Sequence, residues 1–232
     1  MFKAGTTNEA ELAAWIENSV KKIPNGLTIL DAGAGECQFK KYCGHLNYIS
    51  QDFGQYDGTG EVGAHTGSWD NSRLDIISDI TAIPLPDHAV DAVLCTEVFE
   101  HIPDPVLAVR EFNRLIKPGG YLIITAPFNS LTHFAPYHFA TGLSRFWYEK
   151  HLTDNNFQIE ELHFNGNFFE FLAQESRRIK PVAKKYAEKK LNLLERAIIH
   201  ANIYILQYLS KKDKGSEELL CYGLQVFARK KL

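Results

Sequence analysis

Leu27-Thr28-Ile29-Leu30-Asp31-Ala32-Gly33-Ala34-Gly35-Glu36-Cys37 sets a short apolar run, an acid and two glycines in immediate succession. The run is entered through the turn signal Pro24-Asn25-Gly26, and Ile29 and Leu30 suit a strand buried on both faces. Gly33 and Gly35 let the backbone turn sharply and let a ligand approach where a Cβ would collide. Glu36 to Tyr42 is then expected to open a helix whose first amides point back at that ligand. Such a loop at the carboxyl edge of a parallel sheet is a nucleoside-binding device. A dinucleotide fingerprint, G-x-G-x-x-G, would place its third glycine at position 38, where Gln38 stands.

The bulk properties frame this reading. A chain of 232 residues has room for one domain with a substantial core and an embellishment. Its 45% hydrophobic and 23% charged content is that of an ordinary globular protein. A net charge of −3 gives no overall attraction to nucleic acid, so no nucleic-acid partner is expected. Cys37, Cys43, Cys95 and Cys221 form no C-x-x-C pair and lack zinc-ligand spacing with histidine. They read as reduced thiols of a cytoplasmic protein. The first residues lack the apolar core of a signal peptide, and no run reaches the ~20 apolar residues that cross a bilayer.

Outward from the glycine stretch, strands and helices alternate. Leu12, Ala13, Trp15, Ile16 and Val20 form a helical stripe behind the capping residues Thr7 and Asn8. Asn47 to Asp52 is a second strand ending in an acid, placed to accept from both hydroxyls of a ribose. Gly54 to Gly67 reads as a loop, a flap or part of a substrate entrance. Leu74 to Ile80 is a third strand, Ala92 to Cys95 a fourth, Val106 to Leu115 an amphipathic helix and Tyr121 to Thr125 a fifth strand. The pattern implies an α/β, Rossmann-like doubly wound sheet.

Several phrases carry a family resemblance. Asp31 to Gly35 resembles the D-x-G-x-G motif of class I S-adenosylmethionine (SAM)-dependent methyltransferases, with Cys37 where a third glycine is usual. Pro86 to Val93, with Asp91 ahead of the fourth strand, resembles a further family phrase, and Glu97-Val98-Phe99-Glu100-His101 resembles its "E-V-L-E-H" segment. Ile116 to Pro127 resembles "L-x-P-G-G-x-L-x-x-x-x-P". The chain is thus similar to the broad "methyltransferase type 11" kind over residues 27 to 164 and again in its last strand. The resemblance implies seven strands, mostly parallel with an antiparallel last strand. It implies SAM as cofactor, with S-adenosylhomocysteine as product, and cofactor contacts from Asp31, Gly33, Ala34, Gly35, Asp52, Phe53, Asp79, Ile80, Thr96 and Glu97. Asp79 and Ile80 would hold the adenine and Asp91 would cap or orient its strand, while Glu100 and His101 read as a charged pair that holds their turn together, with a chemical role as the alternative.

Past the fifth strand, Phe128 to Phe139 is rich in aromatic residues and carries His133 and His138. Either histidine is a candidate base for a hydroxyl acceptor, since an ordinary imidazole titrates near ~6.5; no metal site is expected, because the pair lacks carboxylates at ligand spacing. Phe157 to Phe164 and Cys221 to Ala228 alternate like strands. The domain is therefore residues 1–164 and 217–232, with 165–216 a helical insertion. Eight basic residues against three acids between Glu175 and Arg196, then an apolar stripe from Leu191 to Leu209, leave three readings. They are a cap or homodimer contact, a basic amphipathic surface for peripheral membrane or lipid-linked substrate, and an RNA-backbone surface. The expected activity is methylation of a small or lipid-linked acceptor at oxygen. Nitrogen or carbon transfer, and a catalytically silent SAM-binding module with a partner on the insertion, are the alternatives.

Overall fold

The computed structural model describes residues 2–58 and 69–232. Residues 59–68, most of the expected Gly54 to Gly67 loop, lie outside the described residues. Seven strands form one sheet in the order β3-β2-β1-β4-β5-β7-β6. They are β1 (Thr28–Ala32), β2 (Asn47–Asp52), β3 (Ile76–Ile77), β4 (Val90–Thr96), β5 (Ile116–Pro127), β6 (Phe157–Asn165) and β7 (Gly223–Lys230). The first five are parallel and β7 runs antiparallel to β5, the mixed α/β sheet that the sequence implies.

β1 takes the centre because Ile29, Leu30 and Ala32 have no exposed surface and demand cover on both faces. Its neighbours stand in a register that pairs Ala32 with Gln51 and Asp31 with Leu94, while Asp52 pairs with Ile77 and Thr96 with Thr125. The carboxyl ends of β1 to β5 therefore share one edge. At the opposite edge Asp91 accepts from the Thr28 amide at 2.9 Å and the Lys117 ammonium at 2.6 Å, tying the starts of β1 and β5 together.

Three elements differ from the sequence reading. No α-helix follows the glycine loop: Cys37 takes φ +59, which a right-handed helix cannot include, and only a 3-10 turn forms at Lys40–Tyr42. β3 is two residues long because the Asp75 carboxylate accepts from the Ser50 amide at 2.9 Å, taking the place of a ladder partner. β5 begins five residues early and bulges through Lys117 to Gly120, so that Val90 pairs with Ile116 but Ala92 with Tyr121.

The chain divides into two compact units, Ala13–His163 with Gly223–Leu232, and Met1–Leu12 with Phe164–Tyr222. The α-helices in chain order are α1 (Asn8–Val20), α2 (Pro105–Leu115), α3 (Arg145–Asp154), α4 (Phe168–Tyr186) and α5 (Leu193–Ser210), and the second unit is built on the last two. Asn167 caps α4, and Asn192 with Glu195 forms a capping box on α5. The N-terminal residues dock on these helices: Arg177 donates to the Ala4 and Phe2 carbonyls at 2.8 and 2.6 Å, and the Gly5 amide to Glu170 at 2.7 Å. Ala4, Ala173 and Leu206 make the small core beneath. Among the described residues no helix is long and apolar enough to cross a membrane.

Candidate active site

The strand ends open into a pocket of about 890 Å³ within the larger unit, a volume typical of small-molecule sites. The glycine loop forms one wall. The Gly33 and Ala34 amides donate to the Gln51 carbonyl at 2.8 and 2.9 Å, folding the loop back over β2. Gly33 has φ +79, and a Cβ there would lie 2.4 Å from the Val98 side chain; at Gly35, φ +51, it would lie 2.6 Å from Trp69. Only glycine fits either place.

Asp52 joins the loop to β2. Its carboxylate accepts from the Gly35 amide and from the Gly54 amide, each at 3.0 Å, so both oxygens are aimed before any ligand arrives. Phe53, Asp79, Ile80, Thr96 and Glu97 line the same pocket. Asp79 also accepts from the Thr81 amide and hydroxyl at 2.8 and 2.7 Å, which fixes the turn after β3. Glu97 takes φ +54, an uncommon conformation for a non-glycine residue, and its carboxylate accepts from the Thr125 hydroxyl at 2.8 Å. Burial pushes this carboxyl up to about 7.

Asp31 is placed differently. It lies beneath the glycine loop and outside the pocket lining, 1% exposed, accepting from the Tyr48 hydroxyl at 2.6 Å. Burial raises it to about 7, against the lowering effect of that hydrogen bond and with a smaller push from Asp52.

The opposite wall brings three histidines together. His101, in the 3-10 turn Phe99–His101 after β4, meets His133 and His138 from the loop after β5, with one ring nitrogen from each lying within 4.8 Å of the others. His101 and His133 line the pocket and His138 stands behind them. Glu100 reaches under the group, its Oε1 3.6 Å from His101 Nε2 and 3.8 Å from His133 Nε2. Burial holds His101 down to about 4 and His138 below its ordinary range, and it holds Glu100 well above, with the Glu97 charge adding to the rise. At neutral pH the His101 and His138 rings are thus neutral, each with one free lone pair.

Between the walls stands an aromatic lining that linear reading does not assemble. Tyr56 stacks on Phe134 at 3.7 Å, Trp69 meets Phe134 edge-on at 5.0 Å, and Phe53 meets Tyr137 at 4.8 Å. Trp69 comes from the long loop after β2, where no periodicity marks it. Phe134 and Tyr137 had only their density of aromatic neighbours as a signal. His101 was visible as part of a motif, but its approach to His133 and His138 depends on two loops converging.

Residues 30–124 match the model of a family described as a methyltransferase domain. The ubiquinone biosynthesis O-methyltransferase of Alkalilimnicola ehrlichii is 54% identical over 35 residues, 15% of this chain and 14% of that protein. The 2-methyl-6-phytyl-1,4-hydroquinone methyltransferase of Synechocystis is 26% identical over 121 residues, 49% of this chain and 35% of that protein. The alignments therefore reach at most 35% of the length of these two curated relatives. A SAM dependent methyltransferase from Archaeoglobus fulgidus has the same fold, with a TM-score of 0.59 at 16% identity, covering 98% of this chain and 97% of that one. With the motifs at successive strand ends and the strand order in agreement, residues 30–124 match a methyltransferase domain, and the chain has the fold of the class I SAM-dependent methyltransferases.

Proposed function

We propose that the protein transfers a methyl group from SAM to a hydroxyl oxygen of a small or lipid-linked acceptor. One observation carries the reading: a glycine cradle with an aimed carboxylate and a cluster of imidazoles face each other across one pocket. Bound in the cradle, SAM supplies a methyl on a sulfonium, an electrophile with its leaving group already in place.

The residues then divide the work. Asp52 accepts from the ribose hydroxyls with the carboxylate that Gly35 and Gly54 orient. Asp79 accepts from the adenine amine, and Ile80 packs on the ring face. Gly33, Ala34 and Gly35 bring backbone close to the methionyl end, with Phe53, Thr96 and Glu97 completing the lining. Asp31 supports the loop from below, held by the Tyr48 hydroxyl. The opposing wall aligns the acceptor, and His133 or His138 takes its proton.

Oxygen as the acceptor atom is supported by the name of one relative, an O-methyltransferase, and both relatives are named for a quinone or hydroquinone. An apolar acceptor suits the aromatic lining formed by Phe53, Trp69 and Phe134. A lipid-linked one is supported by the helical unit, where Leu193, Leu194 and Ile198 are 81%, 70% and 59% exposed beside the basic run ending at Arg196. The test is thermal: SAM and S-adenosylhomocysteine should each raise the melting temperature, and NAD should not. A shift with NAD alone would replace this reading with an oxidoreductase. A shift with SAM, but no methyl transfer to any quinol, would leave a binding module.

A further inference from the structure

Hydrogen bonds on two of the three histidines leave their Nε2 atoms turned toward Glu100. His101 Nδ1 lies 2.6 Å from the Tyr137 carbonyl and His133 Nδ1 lies 2.8 Å from the Leu131 carbonyl. A carbonyl oxygen only accepts, so each Nδ1 carries the proton and each neutral ring keeps its lone pair on Nε2. Those two Nε2 atoms are the ones turned to Glu100, at 3.6 and 3.8 Å. The Glu100 side chain is 1% exposed, and neither carboxylate oxygen has a hydrogen-bond partner among the described residues. Both ring nitrogens of His138 are likewise buried with no such partner. Three imidazoles and a carboxyl group thus converge, and no hydrogen bond joins the Glu100 or His138 side chain to any of the described residues, an arrangement that proteins rarely leave uncompensated. A backbone carbonyl bound to the far ring nitrogen is also the outer-shell support that fixes a metal-ligating imidazole.

We propose that His101, His133 and His138, backed by Glu100, form a binding site for one divalent transition-metal ion of the imidazole-preferring class, such as Zn²⁺, Fe²⁺ or Co²⁺. Metal–nitrogen bonds of about 2.0–2.1 Å require ligand atoms closer together than the observed 4.8 Å limit. Small side-chain rotations supply that closure, since His133 and His138 come from a loop. Glu100 provides the carboxylate that linear spacing did not reveal, and with it the reason for expecting no metal site falls away. Because His101 and His133 line the pocket, an open position on the ion faces the acceptor.

The catalytic consequence rests on the methyltransferase reading above. An acceptor hydroxyl on the ion loses its proton to solvent at lower pH than a free one. Its oxygen pair then forms the bond to the methyl carbon as the carbon–sulfur bond breaks and that pair stays on sulfur; nothing is oxidised or reduced. The ion would take over the activating role of an imidazole base, leaving the histidines to hold it.

Chelator-treated full-length protein, titrated with Co²⁺ and Zn²⁺, tests the site without any need for activity. One equivalent of Co²⁺ should bind with a visible ligand-field absorption that one equivalent of Zn²⁺ abolishes. His133→Ala, at the more exposed ligand, should weaken binding on the order of 100-fold, and Glu100→Gln about 10-fold or more. A folded protein that keeps its SAM-induced melting shift but binds no ion would overturn the metal site and leave the methyltransferase reading standing. Ion binding unchanged in His133→Ala and His138→Ala would also overturn it, by placing the ion elsewhere. Ion binding without any SAM shift would keep the site and remove the methyltransferase reading.

Discussion

The pocket unit and the helical unit handle apolar surface in opposite ways. Around the pocket, Ile29, Leu30, Val93, Leu94 and Ile124 are fully buried, and the exposed chemistry is a few aimed polar groups on rigid strand ends. In the helical unit, α5 buries only Ile203 and Leu206, while Leu193, Leu194, Ile198, Tyr204, Ile205 and Tyr208 stay more than half exposed. A site that binds a polar nucleoside needs particular atoms at particular positions, so its residues announce their purpose. A face made of apolar bulk announces only that something covers it.

The contrast can be broken first at Gly33. Gly33→Val places a β-branched side chain at φ +79, against Val98. SAM affinity should fall by at least about 100-fold, or roughly 3 kcal/mol, as read by calorimetry. An unchanged affinity would mean that the loop is a mere turn.

The next effect comes from pH. The folded chain holds protons on Asp31 and Glu97 up to about 7 that the unfolded chain releases near 4. The fold therefore binds more protons between those values, and stability is greatest at the acid end and falls as pH rises through the window. Between pH 5.5 and 8 the ligand-free protein should lose on the order of 2 kcal/mol from Asp31. Asp31→Asn, which keeps an acceptor for Tyr48, should flatten the melting-temperature profile by that share. A profile as steep as the parent's would assign the pH dependence to other groups.

Asp52→Asn sharpens the comparison at a single contact. It keeps one acceptor for the Gly35 and Gly54 amides but loses the charge that binds two hydroxyls, so SAM should bind about 10-fold more weakly, near 1.4 kcal/mol. Equal affinities would remove the ribose contact from the proposal. The smallest effect belongs to α5. Ile198→Glu, on a residue 59% exposed, should change melting stability by no more than about 0.5 kcal/mol and SAM affinity not at all. A large loss of either would show that this face is structural after all.

Particular residues show how far linear reading reached. Gly33, Gly35 and Asp52 were legible because local backbone chemistry dictates them: a tight turn, a close approach, an acid at a strand end. The α/β class followed from alternating periodicities, each a short-range property, and the count of seven strands from the family resemblance. The missing helix after the loop was not legible, since the left-handed conformation of Cys37 breaks it and no propensity forecasts that for cysteine. Nor was the shortness of β3, which depends on the Asp75 side chain competing for a ladder position.

By itself, then, the amino-acid order determined the sheet, the edge where its motifs gather and the match of residues 30–124 to a methyltransferase domain. Tertiary structure alone decided that Asp31 would be buried beneath the loop, that Trp69 and Phe134 would meet, and that His101, His133 and His138 would converge over Glu100. The reason is range: turns and strands are set by neighbours a few residues apart, whereas a wall built from two loops exists only after the sheet has brought their anchors together.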